Sequence, residues 1–142
     1  MFAKVAVEKM KCEYVLPGSD LTIIATGTPV YWSMMAAKIL AERHGISARV
    51  IDMHTVKPID TAMIDKCADE TGNIFTVEEH SINGGLGSTV AEYLLERGFC
   101  GKFQRIGMPD QFSVLGDPDE IYHFYGLDPE GIAKTIVEKM KK

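Results

Sequence analysis

The chain has 142 residues, 46% hydrophobic and 25% charged, the balance of an ordinary soluble domain long enough to bury a core. Its net charge of -5 argues against an electrostatic grip on nucleic acid or anionic membrane, and no apolar run approaches the roughly 20 residues of a membrane span. Cys12, Cys67 and Cys100 are odd in number, far apart and free of CxxC spacing, which speaks against a disulfide framework or structural zinc site and for a reduced, cytoplasmic setting.

Residues 1–10 are mixed in character and read as an N-terminal tail or the remnant of a linker; residues 11–142 read as one domain. Cys12-Glu-Tyr-Val-Leu16 alternates loosely and predicts a short strand. Pro17-Gly-Ser-Asp20 is a turn. Leu21-Thr-Ile-Ile-Ala25 is nearly continuous in apolar residues, as in a strand covered on both faces. Thr28-Pro29 then supplies an N-cap and a proline at the first helical position. Val30, Met34, Ala37 and Ala41 follow helical spacing, and Gly45 stops that helix.

The next strand centres on Ala48–Ile51, with His54-Thr-Val-Lys-Pro58 as the loop beyond it. Asp60 caps a helix bearing Met63, Ile64, Cys67 and Ala68, which ends at Gly72. Asn73-Ile-Phe-Thr-Val77 predicts a buried strand running out into Glu78-Glu79-His80 and the glycine-rich Gly84-Gly85-Leu86-Gly87. A helix with Val90, Ala91, Leu94 and Leu95 on one face follows, up to Gly98. Lys102–Ile106 is a further strand. Asp117 opens a short helix through Ile121 and Phe124, and Asp128 caps the last, where Ile132, Ile136 and Met140 align.

Strands alternating with helices mean a mostly parallel sheet with helices on both faces. Right-handed crossovers bring the carboxyl ends of the parallel strands to one edge. The first strand, joined to the second by a tight turn, is the candidate antiparallel edge strand. The shared edge gathers Thr26, Gly27 and Thr28, then His54 and Lys57, then Glu79, His80, Gly84 and Gly85.

Several of these residue types carry chemistry elsewhere. A carboxylate beside a histidine can fix its tautomer and raise its basicity. Neighbours along a strand point in different directions, however, so Glu78, Glu79 and His80 do not converge on one atom. The competing reading is a hydrogen-bonded hub that fixes a loop or interface. Gly84-Gly85-Leu86-Gly87 occupies the place of a phosphate loop but matches neither GxGxxG nor a Walker loop. Close approach of another backbone explains its glycines more simply. Thr26-Gly27-Thr28 offers open amides for an anion, or only a well-capped helix. His54 and Lys57 form a basic loop that suits a phosphate, a partner's carboxylate or plain solvent.

Four stretches together carry a resemblance. They are Leu21–Gly27, Val50-Ile-Asp-Met-His-Thr-Val-Lys-Pro-Ile-Asp60, Thr76-Val-Glu-Glu-His-Ser-Ile-Asn-Gly-Gly-Leu-Gly-Ser88 and Arg105-Ile-Gly-Met-Pro-Asp110. In this order and spacing, with the closing Tyr125–Ile132, they resemble the C-terminal domain of transketolases over about residues 11 to 142. The nearest version is the split enzyme made from two shorter chains. Deoxyxylulose-phosphate synthases and the β-subunits of 2-oxoacid dehydrogenases are related.

The resemblance implies a three-layer α/β/α domain with a five-stranded mostly parallel sheet whose first strand is antiparallel. It implies membership of an enzyme that moves a two-carbon ketol unit between sugar phosphates with thiamine diphosphate and Mg2+. The family's Gly-Asp-Gly and Asn diphosphate motif has no counterpart here, and Gly116-Asp-Pro118 is not one. The resemblance therefore places no catalytic, cofactor-binding or metal-binding residue in this chain. Its expected partners are the N-terminal transketolase section and the pyrimidine-binding domain, within a dimer of the full enzyme. The nine edge residues named above become expected interface or anion-binding positions. The length is short for one whole chain of a split enzyme, and Met1 directly before the domain boundary favours an excised domain. A free-standing small-anion module, or the equivalent domain of a synthase or dehydrogenase, is the alternative.

Overall fold

A computed structural model describes residues 11–142; the tail expected over residues 1–10 lies outside the described residues. Five strands form one sheet in the order β1-β3-β2-β4-β5. They are β1 (Glu13–Leu16), β2 (Leu21–Ala25), β3 (Ala48–Asp52), β4 (Asn73–Ser81) and β5 (Lys102–Met108). β1 runs antiparallel to β3, and every other pairing is parallel. The helices are α1 (Pro29–His44), α2 (Thr61–Thr71), α3 (Leu86–Glu96), α4 (Pro118–Phe124) and α5 (Pro129–Lys141).

The alternation of side chains along each strand builds two cores. Leu21, Ile23, Val50, Phe75 and Val77 point to one face, where α1 and α5 cover them through Ala36, Leu40, Ile132 and Ile136. Ile24, Ile51 and Ile74 point to the other, under Ile64 and Cys67 of α2 and Val90 and Leu94 of α3. All five residues of β2 are buried, the mark of a central strand with helices on both sides. The expected layered fold with an antiparallel first strand is the fold observed.

Helix ends follow the expected chemistry in part. Asp60 accepts a hydrogen bond from Met63 N at 3.0 Å and Asp128 one from Gly131 N at 2.9 Å. Gly45 closes α1 with φ +65, where a side chain would be strained. Thr28, expected as the cap of α1, instead has helical angles and makes no side-chain cap bond.

Two packing faces differ from the sequence reading. α1 buries Ser33, Ala36, Ala37 and Leu40, while Ala41 is exposed and Val30 and Met34 are half-buried. The small residues let the helix axis come close to the sheet, so bulkier neighbours fall on the flank. On α3 the buried set is Leu86, Gly87, Val90 and Leu94, and Leu95 is left 80% exposed.

β4 also runs further than expected, so Glu78, Glu79 and His80 lie inside the strand rather than beyond it. Its last residues pair irregularly with β5, with Ser81 opposite Met108. Gly107 of β5 permits this: a Cβ there would lie 3.0 Å from the His80 carbonyl oxygen and 3.1 Å from Glu78 Cγ.

Candidate functional site

The carboxyl edge of the sheet separates the three polar residues of β4. Glu78 is buried on the α3 side of the sheet, 1% exposed. Glu79 is half-buried on the α1 side, and His80 is exposed. The three side chains therefore do not converge on one point, as the alternation of a strand requires.

Glu78 fills the site that the glycine-rich loop suggested for an anion. Its Oε2 accepts a hydrogen bond from Gly87 N, in the first turn of α3, at 2.6 Å. A carboxylate is thus stationed at the positive end of the helix, with the amide that a phosphate would use already engaged. Its Oε1 is buried and has no partner. A Cβ on Gly85 would lie 1.9 Å from that oxygen, and one on Gly87 would lie 2.7 Å from Thr76 Oγ1. The glycines make room for side chains of β4, not for the second backbone expected from the sequence. Burial pushes the Glu78 carboxyl above the usual carboxylate range, against the pull of Gly87 N, His80 and Arg105.

Gly84, with φ +79, donates from its N–H to Ser88 Oγ at 2.9 Å. Ser88 Oγ in turn donates to the Ile82 carbonyl oxygen, which also accepts from Arg105 Nη1 at 2.6 Å. The loop is fixed by the chain's own groups.

A second carboxylate, Glu79, lies near the start of α1 without bonding to its amides. Gly27 is exposed with φ +70, and a Cβ built there would lie 3.6 Å from Glu79 Oε1. Tyr122 of α4 reaches the other oxygen of Glu79 at 3.4 Å, and its ring lies against Trp32 with centroids 4.7 Å apart. Burial first, then the Glu79 charge, raises the Tyr122 hydroxyl above its ordinary range. Thr26 is half-buried and Thr28 exposed beside this carboxylate. A carboxylate this close to the turn disfavours an incoming anion there.

His54 is engaged locally. Its Nε2 lies 2.7 Å from the Lys11 carbonyl oxygen and its Nδ1 2.8 Å from Thr55 Oγ1. A carbonyl only accepts, so the proton sits on Nε2 and, in the neutral ring, Nδ1 accepts from the threonine. Lys57 is exposed on the same loop. Among the described residues no group of three His, Cys, Asp or Glu is placed to hold a metal ion.

Tyr122 and Arg105 are the edge residues that sequence reasoning missed. Tyr122 lies outside the four stretches that carry the resemblance, and Arg105 opens one of them without being singled out as a site residue. Tyr122 meets Glu79 across 43 positions and Arg105 meets Ile82 across 23, so only the assembled sheet reveals them.

The family model for the transketolase C-terminal domain matches residues 10–132. The chain belongs to this family. It is 50% identical over 132 residues to one of the subunits of the apulose-4-phosphate transketolase of Phocaeicola vulgatus, covering 93% of this chain and 41% of that protein. It is 48% identical to a putative transketolase C-terminal section of Methanocaldococcus jannaschii, covering 93% of this chain and 40% of that protein. A 1-deoxy-D-xylulose-5-phosphate synthase of Gloeobacter violaceus is 41% identical over 92% of the chain, which spans 20% of that enzyme. Among solved structures, a split-gene transketolase described as an inactive β4 tetramer superposes with a TM-score of 0.85 at 36% identity, over 92% of this chain and 42% of that one. The chain thus spans about two fifths of these split relatives.

Membership of the family implies thiamine diphosphate in the full enzyme. This chain's own residues do not fit the cofactor's diphosphate. Glu78 occupies the first-turn amide of α3, and Glu79 faces the start of α1. One carboxylate already holds an amide that a diphosphate oxygen would need as donor, and a second lies close to the other helix start.

Proposed function

We propose that this chain is the assembly domain of a transketolase-type ketol transferase: its carboxyl edge docks on the sections that hold thiamine diphosphate and Mg2+, and it supplies no catalytic group. The observation that carries the reading is Glu78 bonded to Gly87 N, a helix start closed to anions by the chain itself. The same carboxylates count against a free-standing small-anion module. Identities of 50% and 48% to split-transketolase chains, against 41% to the synthase, favour ketol transfer over the synthase reaction. Its partners on this reading are the N-terminal section and the pyrimidine-binding domain within a dimer, in a reduced, cytoplasmic setting. Thr26, Gly27, Thr28, His54, Lys57, Glu79, His80, Gly84 and Gly85 then belong to a docking surface.

Calorimetric titration tests it. The purified chain should give no heat with thiamine diphosphate and Mg2+, and ketol transfer should appear only when the remaining transketolase section is added. Micromolar cofactor affinity in the chain alone would overturn the reading. His80→Ala should weaken assembly more than it alters turnover of the assembled enzyme.

A further inference from the structure

Beyond the polar edge, the loop after β5 exposes side chains that a free surface does not need. Phe112 is 102% exposed and Leu115 100%, with Val114 between them at 39%. Tyr31 at the start of α1 and Phe124 at the end of α4 are also exposed. Single exposed apolar residues are ordinary, but several large ones around one edge mark an interaction surface. The loop is held in shape. Tyr125 Oη accepts from Val114 N at 3.2 Å, Gln111 N donates to the Pro109 carbonyl oxygen at 2.8 Å, and the Tyr125 ring meets Phe124 edge-on. A preorganised loop loses little entropy on binding.

Charge and chain path select the occupant. No lysine or arginine lies between Arg105 and Lys134, whereas Asp110, Asp117, Asp119 and Glu120 flank the two anchors. A second copy docking face to face would set this acidic belt against itself. The fold is also entered at this edge. β1 runs antiparallel to β3, and His54 ties Lys11 beside the carboxyl end of β3. The first described residue therefore lies at the carboxyl side of the sheet, the side to which the loop after β5 belongs.

We propose that the loop from Asp110 to Gly116, anchored by Phe112 and Leu115, seats this domain on the remaining section of its transketolase, in an apolar pocket rimmed by lysine or arginine. The inference rests on the assembly reading above and names the surface that performs it. It shifts the anchoring from the Glu79–His80 edge to Phe112 and Leu115, which lie outside the four stretches that carry the resemblance.

The test uses the full chain and the remaining transketolase section from the same genome, loaded with thiamine diphosphate and Mg2+, in a direct binding assay. The double variant Phe112→Ser, Leu115→Ser should bind about a hundredfold more weakly, with an unchanged melting temperature because neither side chain is buried. Asp117→Asn with Glu120→Gln should slow association and flatten its salt dependence while leaving dissociation unchanged. Wild-type affinity in the double serine variant, with His80→Ala weakened, would move the seat to the polar edge and overturn the inference. A wild-type dimer in sedimentation that the serine variant abolishes, with section binding intact, would assign the loop to a second copy and also overturn it. No binding of the section by the wild-type chain would instead overturn the assembly reading itself.

Discussion

Glu78 and Gly85 fit together only because Gly85 lacks a side chain: its Cβ would lie 1.9 Å from Glu78 Oε1. The oxygen belongs to a buried carboxylate already bonded on its other side to Gly87 N. Any retreat of this side chain would disturb its bond to Gly87 N. Gly85→Ala should therefore destabilise the fold by about 1–3 kcal/mol, the usual cost of overpacking. Combining it with Glu78→Ala should cost less than the sum of the two single changes, because the clash partner is gone. Chemical denaturation of the four proteins checks this; strict additivity would show that the contact is relieved some other way.

The same carboxyl makes stability depend on pH. Its folded-state pKa is raised, chiefly by burial. Its contribution is then fully present below the unfolded pKa and is lost as pH rises through the folded one. Glu78→Gln keeps an oxygen for Gly87 N but does not titrate. The stability of this variant relative to the wild type should rise between acid and neutral pH. Paired melting curves from pH 4 to 8 measure the difference, and a flat difference would mean that Glu78 does not titrate in that range.

Asp60 works with the opposite sign. Burial opposes its ionisation, but hydrogen bonds from Met63 N and Cys12 N outweigh it and hold the carboxyl below its usual range. Its contribution is present above the unfolded pKa and lost as pH falls through the folded one. Asp60→Ala should cost about 1–2 kcal/mol at neutral pH, as loss of an N-cap does. The cost should shrink in acid, as pH falls below the unfolded pKa towards the folded one. Denaturant midpoints at pH 7 and pH 3 read both.

The thiols divide by burial. Cys12 and Cys67 are buried and Cys100 is exposed. Burial, reinforced by Asp60, pushes Cys12 up to about 12, and burial raises Cys67. A thiolate is the reacting form. An aromatic disulfide reagent at neutral pH should modify Cys100 quickly and the other two only on unfolding. Rapid labelling of all three in the native chain would contradict this burial pattern.

The sequence made the strands legible because β2, β3 and the first half of β4 are near-continuous in apolar residues, which both layers of helices demand. It made the edge legible because parallel strands share one exit side. It did not show that β4 continues through Glu78, Glu79 and His80, since polar residues inside a paired strand look like a loop until Gly107 of the neighbour is in place. Nor did it show that Glu78 caps α3, which depends on the helix start folding back over the strand. The face of α1 was misread because Ser33 and Ala36 carry weak apolar signals yet allow the closest packing. The exposure of Phe112, Leu115 and Phe124 is likewise invisible in a sequence, where a large apolar residue reads as core.

The final helix carries the chain away from all of this. Lys102, at the start of β5, donates to the Met140 carbonyl oxygen at 2.5 Å, so the last residues lie at the amino end of the strands. An affinity tag, a fluorophore or a surface tether attached at Lys142 would hang from the face opposite to the docking edge. The domain can be held by that end with the proposed docking surface turned outward, which makes it a convenient immobilised bait for the proposed partner section.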